Sequence, residues 1–291
     1  MVGEFPSLQG RVGADYAARQ GEEAAVAQAI EEHYLPVRAG GALPAGLVGT
    51  LVGVADKMDT LAGCFGIGAT PTGTTDPFGL RRLAIGLLHT VTHHGLSLSL
   101  APLAHEALSL YQDRLTVPRD QAAAALTEFI RGRLVNDSVS RGLPADAVEA
   151  GVAVGWDAVV DTGRRIEALA GIRQQPSFTP LAIAFKRVMN MVKTGGAGPL
   201  EPARLVEPAE VALHQAFLAC QATAGPLLDR QDYGAALEAF CAMKEPVDAF
   251  FDQVLVMSGD EALRANRLAL LTAIADLFLR VGDISKMQVN R

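Results

Sequence analysis

Apolar residues along this chain recur at steps of three and four rather than in alternation. In EEAAVAQAIEEHY, residues 22–34, Val26, Ile30 and Tyr34 stand at i, i+4 and i+8, which predicts a helix. Residues 35–44 hold two prolines and a glycine pair and read as a loop. Over residues 45–64, Leu47, Leu51, Val54, Met58, Leu61 and Ala62 line one face of a second helix whose only charges are Asp56, Lys57 and Asp59. Asp76-Pro77 reads as a helix start, because aspartate can cap and proline at the first position loses no hydrogen bond. Leu80, Leu83, Ala84, Leu87, Leu88 and Val91 carry that helix toward Gly95.

The same period predicts helices near 102–114, 119–135, 144–160, 162–171, 181–193, 207–224, 232–243 and 245–257. The strongest comes last: Asp260 caps it, and Leu263, Arg267, Leu270, Leu271, Ile274, Leu277, Phe278 and Val281 repeat at helical spacing. Residues 1–20 read as mixed. Gln174-Gln-Pro-Ser-Phe-Thr-Pro180 is the clearest punctuation and marks a boundary near 174–180, and 194–199 reads as a flexible loop. With no sustained period-2 run and no internal repeat, the fold class is all-α.

Composition agrees. Of 291 residues, 49% are hydrophobic and 20% charged, enough for a sizeable core, and aromatics are only 5%, which favours helices over strands. A net charge of −7 argues against a general nucleic-acid binder but leaves room for a local basic face. The cysteines, Cys64, Cys220 and Cys241, are scattered, odd in number and without a CxxC. They suit a reducing cytoplasm rather than a disulfide framework or zinc ribbon. No signal peptide and no run of about 18 apolar residues is present, so no membrane role is expected.

The stretch GIGATPTGTTDPFGLRR, residues 66–82, has the glycine spacing of a phosphate-cradling loop at Gly68 and Gly73. Thr74 stands where such a loop needs lysine, the preceding residues are helical, and Pro71 supplies no amide, so a glycine-rich connection between helices is the expectation. His89 and His93 share a helix face, but HTVTHH lacks the glutamate of HExxH. His89, His93 and His94 therefore read as polar residues at a helix C-terminus. No GxSxG occurs; Cys64 and Trp156 read as packing residues. The best RNA candidates are basic: Lys186, Arg187, Asn190 and Lys193 on one helix, and Arg264, Asn266, Arg267 and Arg280 on the last. Such side chains hold phosphates or splayed bases. LRANRLALL reads equally as a buried packing motif with one structural arginine. No catalytic residue and no metal site is expected.

ADKMDTLAGCFGIGATPTGTTDPFGLRRLAIGLL, residues 55–88, resembles the signature segment of the β subunit of the bacterial heterotetrameric glycyl-tRNA synthetase. MVGEFPSLQG at the start, EEHYLP at 31–36, KRVMN at 186–190, EPVDAFFDQVLVMSGDEALRANRLALL at 245–271 and the ending LFLRVGDISK match that family in order. The resemblance implies an HD-type helical domain over 1–115 with its front part missing, a helical linker over 116–176 and an α-helical anticodon-binding domain over 177–291. It also implies a longer family chain, in which Met1 corresponds to an internal methionine. Two positions depart from the family: it has lysine near Thr74 or Thr75, and methionine where this chain has Leu255.

On this resemblance the chain handles glycine tRNA, while a separate α subunit activates glycine with ATP and Mg²⁺; this chain binds neither and binds no DNA. Asp56 resembles the last aspartate of an HD phosphohydrolase, but no His-Asp dipeptide occurs, and one carboxylate cannot build a metal site. Asp56 and Asp59 are therefore read as a relic, paired with Arg81 or Arg82 unless those arginines face RNA. The rival readings are an HD-type metal-dependent phosphohydrolase and a non-enzymatic helical interaction module.

Overall fold

The computed structural model describes residues 3–38 and 40–288. Among them the architecture is all-α. In order come α1 (Arg11–Arg19), α2 (Ala24–Glu32), α3 (Leu47–Gly66), α4 (Leu80–His93), α5 (Leu100–Ser109), α6 (Arg119–Ser140) and α7 (Ala145–Val152). They are followed by α8 (Val159–Ile172), α9 (Phe178–Val192), α10 (Pro208–Asp229), α11 (Tyr233–Phe240), α12 (Lys244–Gln253) and α13 (Glu261–Leu279). The only β-type pairing among the described residues is an isolated bridge between Thr72 and Thr75.

Most predicted helices form within a few residues of their expected bounds. Asp260 caps α13 as expected, its carboxylate accepting from the amides of Ala262 at 2.9 Å and Leu263 at 3.1 Å. The stretch 144–160 differs: α7 stops at Val152, and α8 begins at Val159. Gly155 between them takes φ +143°, a region open to glycine. The buried Arg165 of α8 satisfies the carbonyls freed at this break, donating to Gly151 O at 3.0 Å and Gly155 O at 2.8 Å. Its Nε also pairs with Asp161 at 3.0 Å.

Internal contacts divide the chain into two units, Met1–Asp137 with Asp157–Val160, and Ser138–Trp156 with Asp161–Arg291. In the first, α3 packs against α2, α4 and α5. Its core joins Met58, Leu61, Ala62 and Phe65 of α3 to Leu80, Leu87, Leu88 and Val91 of α4 and to Leu100 and Leu108 of α5. In the second, α9 packs on α13, and α10 on α11 and α12. Three phenylalanines tie this core together: the Phe278 ring lies 5.1 Å from Phe185 and 4.1 Å from Phe240, nearly parallel to both. The division does not follow the expected boundaries at 115/116 and 176/177. Residues 173–177 are a short turn inside one core, in which Leu169 and Ile172 of α8 share a cluster with Phe178 and Leu181 of α9.

Candidate nucleic-acid interface

The glycine-rich stretch ends in a tight turn. Thr72 and Thr75 exchange backbone hydrogen bonds at 3.1 and 2.8 Å, with Gly73 between them at φ +49°. Their amides serve each other rather than a phosphate cradle. Asp76 then caps α4 from further upstream than expected. Its carboxylate accepts from the amides of Leu80 at 2.8 Å and Arg81 at 3.0 Å, while Gly79, at φ +65°, is the residue before the helix. Pro77 thus lies in the approach to the helix rather than at its first position.

Arg81 donates from Nη2 to Gly73 O at 2.7 Å and so holds the turn against the helix. Arg82 is exposed, its guanidinium folded over Gly79, where a Cβ would lie 2.9 Å from Nη2. Asp56 and Asp59 are exposed on α3. Among the described residues no ion pair joins either aspartate to Arg81 or Arg82, so the expected pairing is replaced: Arg81 takes a carbonyl, and the Asp59 carbonyl accepts from Tyr111 Oη at 3.0 Å. Burial, with Asp59 beside it, pushes the Tyr111 hydroxyl up to about 12.

The basic candidates of the second unit separate into three groups. Lys186 and Asn190 on α9 and Lys193 just past its end are exposed and form no ion pair among the described residues. Arg187, Arg264 and Arg280 are partnered. Arg187 donates to Asp248 at 2.8 Å and Asp252 at 3.2 Å and lies 4.7 Å from the Phe251 ring centroid. Arg264 sits 3.6 Å from Glu261, and Arg280 sits 2.7 Å from Asp229.

Asn266 and Arg267 correct the reading of them as RNA contacts. They are only 3% and 6% exposed. The Asn266 amide accepts from Glu201 N at 2.7 Å and donates to Glu201 O at 3.1 Å, fastening the segment before α10 onto α13. Arg267 pairs through Nε with Glu210 and donates to Leu255 O at 2.8 Å. Glu210 is fully buried and also accepts from the amides of Val206 at 2.8 Å and Glu207 at 3.0 Å, completing a capping box at the start of α10. The partners Glu201 and Glu210 lie more than fifty residues upstream of these side chains, and no local pattern on α13 announces them.

Of the candidate histidines, His93 and His94 meet edge to face with ring centroids 4.9 Å apart, and His89 is engaged elsewhere. His89 Nε2 meets Asp137 at 3.0 Å. His94 Nε2 lies 2.8 Å from Pro44 O; a carbonyl only accepts, so that nitrogen carries the proton. Among the described residues no group of three or more His, Cys, Asp or Glu gathers in metal-binding geometry. Burial pushes the Cys64 thiol up and the Cys220 thiol up to about 11, which disfavours thiolate chemistry at both. Trp156 is partly buried.

A sequence profile described as "Glycyl-tRNA synthetase beta subunit" matches residues 1–153. Over 287 residues, 99% of this chain, it is 47% identical to the glycine--tRNA ligase beta subunit of Trichlorobacter lovleyi and 46% identical to that of Citrifermentans bemidjiense. It is 47% identical over 290 residues to the protein of the same description from Geobacter metallireducens. In each case it spans 42% of the relative's length. The chain belongs to the glycyl-tRNA synthetase beta subunit family.

Proposed function

We propose that this chain is a tRNA-holding part of the β subunit of glycine--tRNA ligase. It supports the attachment of glycine to its tRNA while the reaction itself, with ATP and Mg²⁺, takes place on a separate α subunit. The observation that carries this reading is the match to glycine--tRNA ligase beta subunits along 99% of the chain. We assign the unit Ser138–Trp156 with Asp161–Arg291 to anticodon binding, in keeping with the domain expected over 177–291, and the other unit to the HD-type helical domain.

The uncommitted side chains Lys186, Asn190 and Lys193 are the leading contacts there, since a lysine without a carboxylate partner is available to a phosphate. Arg187, Arg264 and Arg280 can join only by leaving the carboxylates that now hold them. No residue of this chain is assigned to catalysis and no cofactor to this chain. Among the described residues no helix is long and apolar enough to cross a membrane; we place the protein in the cytoplasm with its α partner. An HD-type phosphohydrolase is disfavoured because the chain lacks the His-Asp pair.

Binding of the chain to glycine tRNA, and to the same tRNA with its anticodon exchanged, at two salt concentrations tests the reading. Tighter binding to the native anticodon is expected, with a shallow salt slope because few phosphates are neutralised. Absence of binding to either RNA overturns it.

A further inference from the structure

The first unit holds a cleft of about 280 Å³, lined by Pro36, Arg38, Arg81, Arg82, Ile85, Gly86 and His89. It is built on one face of α4. Arg81, Ile85 and His89 recur at i, i+4 and i+8, with Arg82 and Gly86 beside them. The loop after α2 closes the opposite side with Pro36 and Arg38. Gly86 makes the close approach possible: a Cβ there would lie 3.3 Å from both Cδ and Cγ of Pro36. The floor is therefore apolar, made of Pro36, Ile85 and the bare Cα of Gly86.

The rim is cationic. Among the described residues no ion pair joins a carboxylate to the side chain of Arg38, Arg81 or Arg82; the Arg81 guanidinium donates to the neutral carbonyl of Gly73, and only its backbone amide meets a carboxylate, that of Asp76 at 3.0 Å. His89, in the lining, meets the carboxylate of Asp137 through Nε2 at 3.0 Å. Arg81 and Arg82 also occupy the first turn of α4, where the helix dipole disfavours positive charge. Neither guanidinium gains from the helix dipole at that position, and Arg81 is held there by the neutral Gly73 carbonyl. They suit an arriving anion, which guanidinium forks bind bidentately.

We propose that this cleft is a nucleotide-phosphate site. Arg38, Arg81 and Arg82 clamp the phosphate of one unstacked RNA nucleotide, and its base or ribose lies against Pro36, Ile85 and Gly86. The volume lies at the lower edge of small-ligand clefts, roughly 300–1,000 Å³, so one nucleotide fits and a helical stem does not. An apolar floor flanked by guanidinium planes is the surface on which splayed RNA bases stack. The proposal rests on the reading of this chain as a tRNA binder and adds a contact in the unit other than the one assigned to the anticodon.

The test uses the whole chain with Arg38→Ala, Arg82→Ala and their double variant. Both side chains are exposed and make no ion pair among the described residues, and matched thermal unfolding checks that the variants fold. Binding is measured for glycine tRNA, for a single-stranded RNA pentamer and for free adenosine and guanosine monophosphate, with Lys186→Ala/Lys193→Ala as the control.

The expected result is that the double variant weakens tRNA and pentamer binding at least about tenfold, since each charged hydrogen bond lost is worth at least that factor. Its salt slope should also become shallower by about 0.7, the signature of one single-stranded phosphate released. Tight tRNA binding by wild type that is unchanged in the double variant overturns the site and leaves the tRNA reading standing. No tRNA or pentamer binding by wild type, with monophosphate binding that the double variant abolishes, overturns RNA as the source. No binding of any of these ligands overturns the site outright.

Discussion

Arg82 on α4 and Arg267 on α13 come from similar-looking runs, GLRR and LRANR, and have opposite fates. Arg82 is exposed, folded over a glycine, and makes no ion pair with a carboxylate among the described residues. Arg267 is 6% exposed, and its guanidinium joins Glu210, itself fully buried, to Leu255 O. The difference lies not in the arginine but in what the fold brings to it. A buried carboxylate that already caps α10 makes Arg267 part of the framework. Water and an apolar cleft leave Arg82 free to bind. A charge is a functional candidate only after its internal partners have been counted.

The largest effect that sharpens this contrast is at the buried pair. Arg267→Ala should destabilise the chain by about 3–5 kcal/mol, because it strands Glu210 as an uncompensated buried charge. Arg82→Ala, with no internal partner to orphan, should change stability by no more than about 0.5 kcal/mol. Urea unfolding of both variants measures the pair of values. If the two are alike, the division between framework and free arginines collapses.

A smaller effect belongs to the cap that carries the free arginines. Asp76→Ala removes the acceptor of the Leu80 and Arg81 amides and should cost about 0.5–2 kcal/mol. It should also loosen the turn that Arg81 holds through Gly73 O. Protection of the Leu80 and Arg81 amides against hydrogen exchange should fall in this variant before that of Leu87 or Leu88 in the core. Equal loss along the whole helix would place the cap's contribution elsewhere.

Helical period and caps made much of this legible in advance. The apolar face of α3, the capped start of α13 and the glycine-rich turn before α4 all follow from local rules that the structure obeys. What escaped was long-range. Glu201 and Glu210, which claim Asn266 and Arg267, are remote in sequence, and so are Asp248 and Asp252, which hold Arg187. Arg38 carries no signal of its own and becomes part of a site only because Gly86 lets Pro36 reach α4. The break between α7 and α8 was hidden for the same reason. A side chain from the next helix, Arg165, satisfies the carbonyls that a continuous helix would have bonded internally.

Lys57 completes the comparison as a third kind of cation, buried but met by carbonyls instead of a carboxylate. It is 2% exposed, and Nζ donates to His33 O at 2.8 Å and Gly53 O at 3.3 Å. Burial holds its ammonium below the ordinary 10.5, with the nearby Asp56 opposing only in part. The unfolded chain therefore keeps this proton at a pH where the folded chain has released it. In that window the unfolded state binds more protons, so stability rises with pH. The cost of burying the ammonium is present in full below the folded value and is relieved as pH climbs through it toward 10.5. Relative to Lys57→Met, the wild-type chain should thus gain stability over this alkaline interval and run parallel to the variant at neutral pH. This is the smallest of the expected effects, since it is confined to one end of the pH range. Parallel curves throughout would mean that the two carbonyls compensate Lys57 as fully as Glu210 compensates Arg267, and that burial without a carboxylate carries no penalty here.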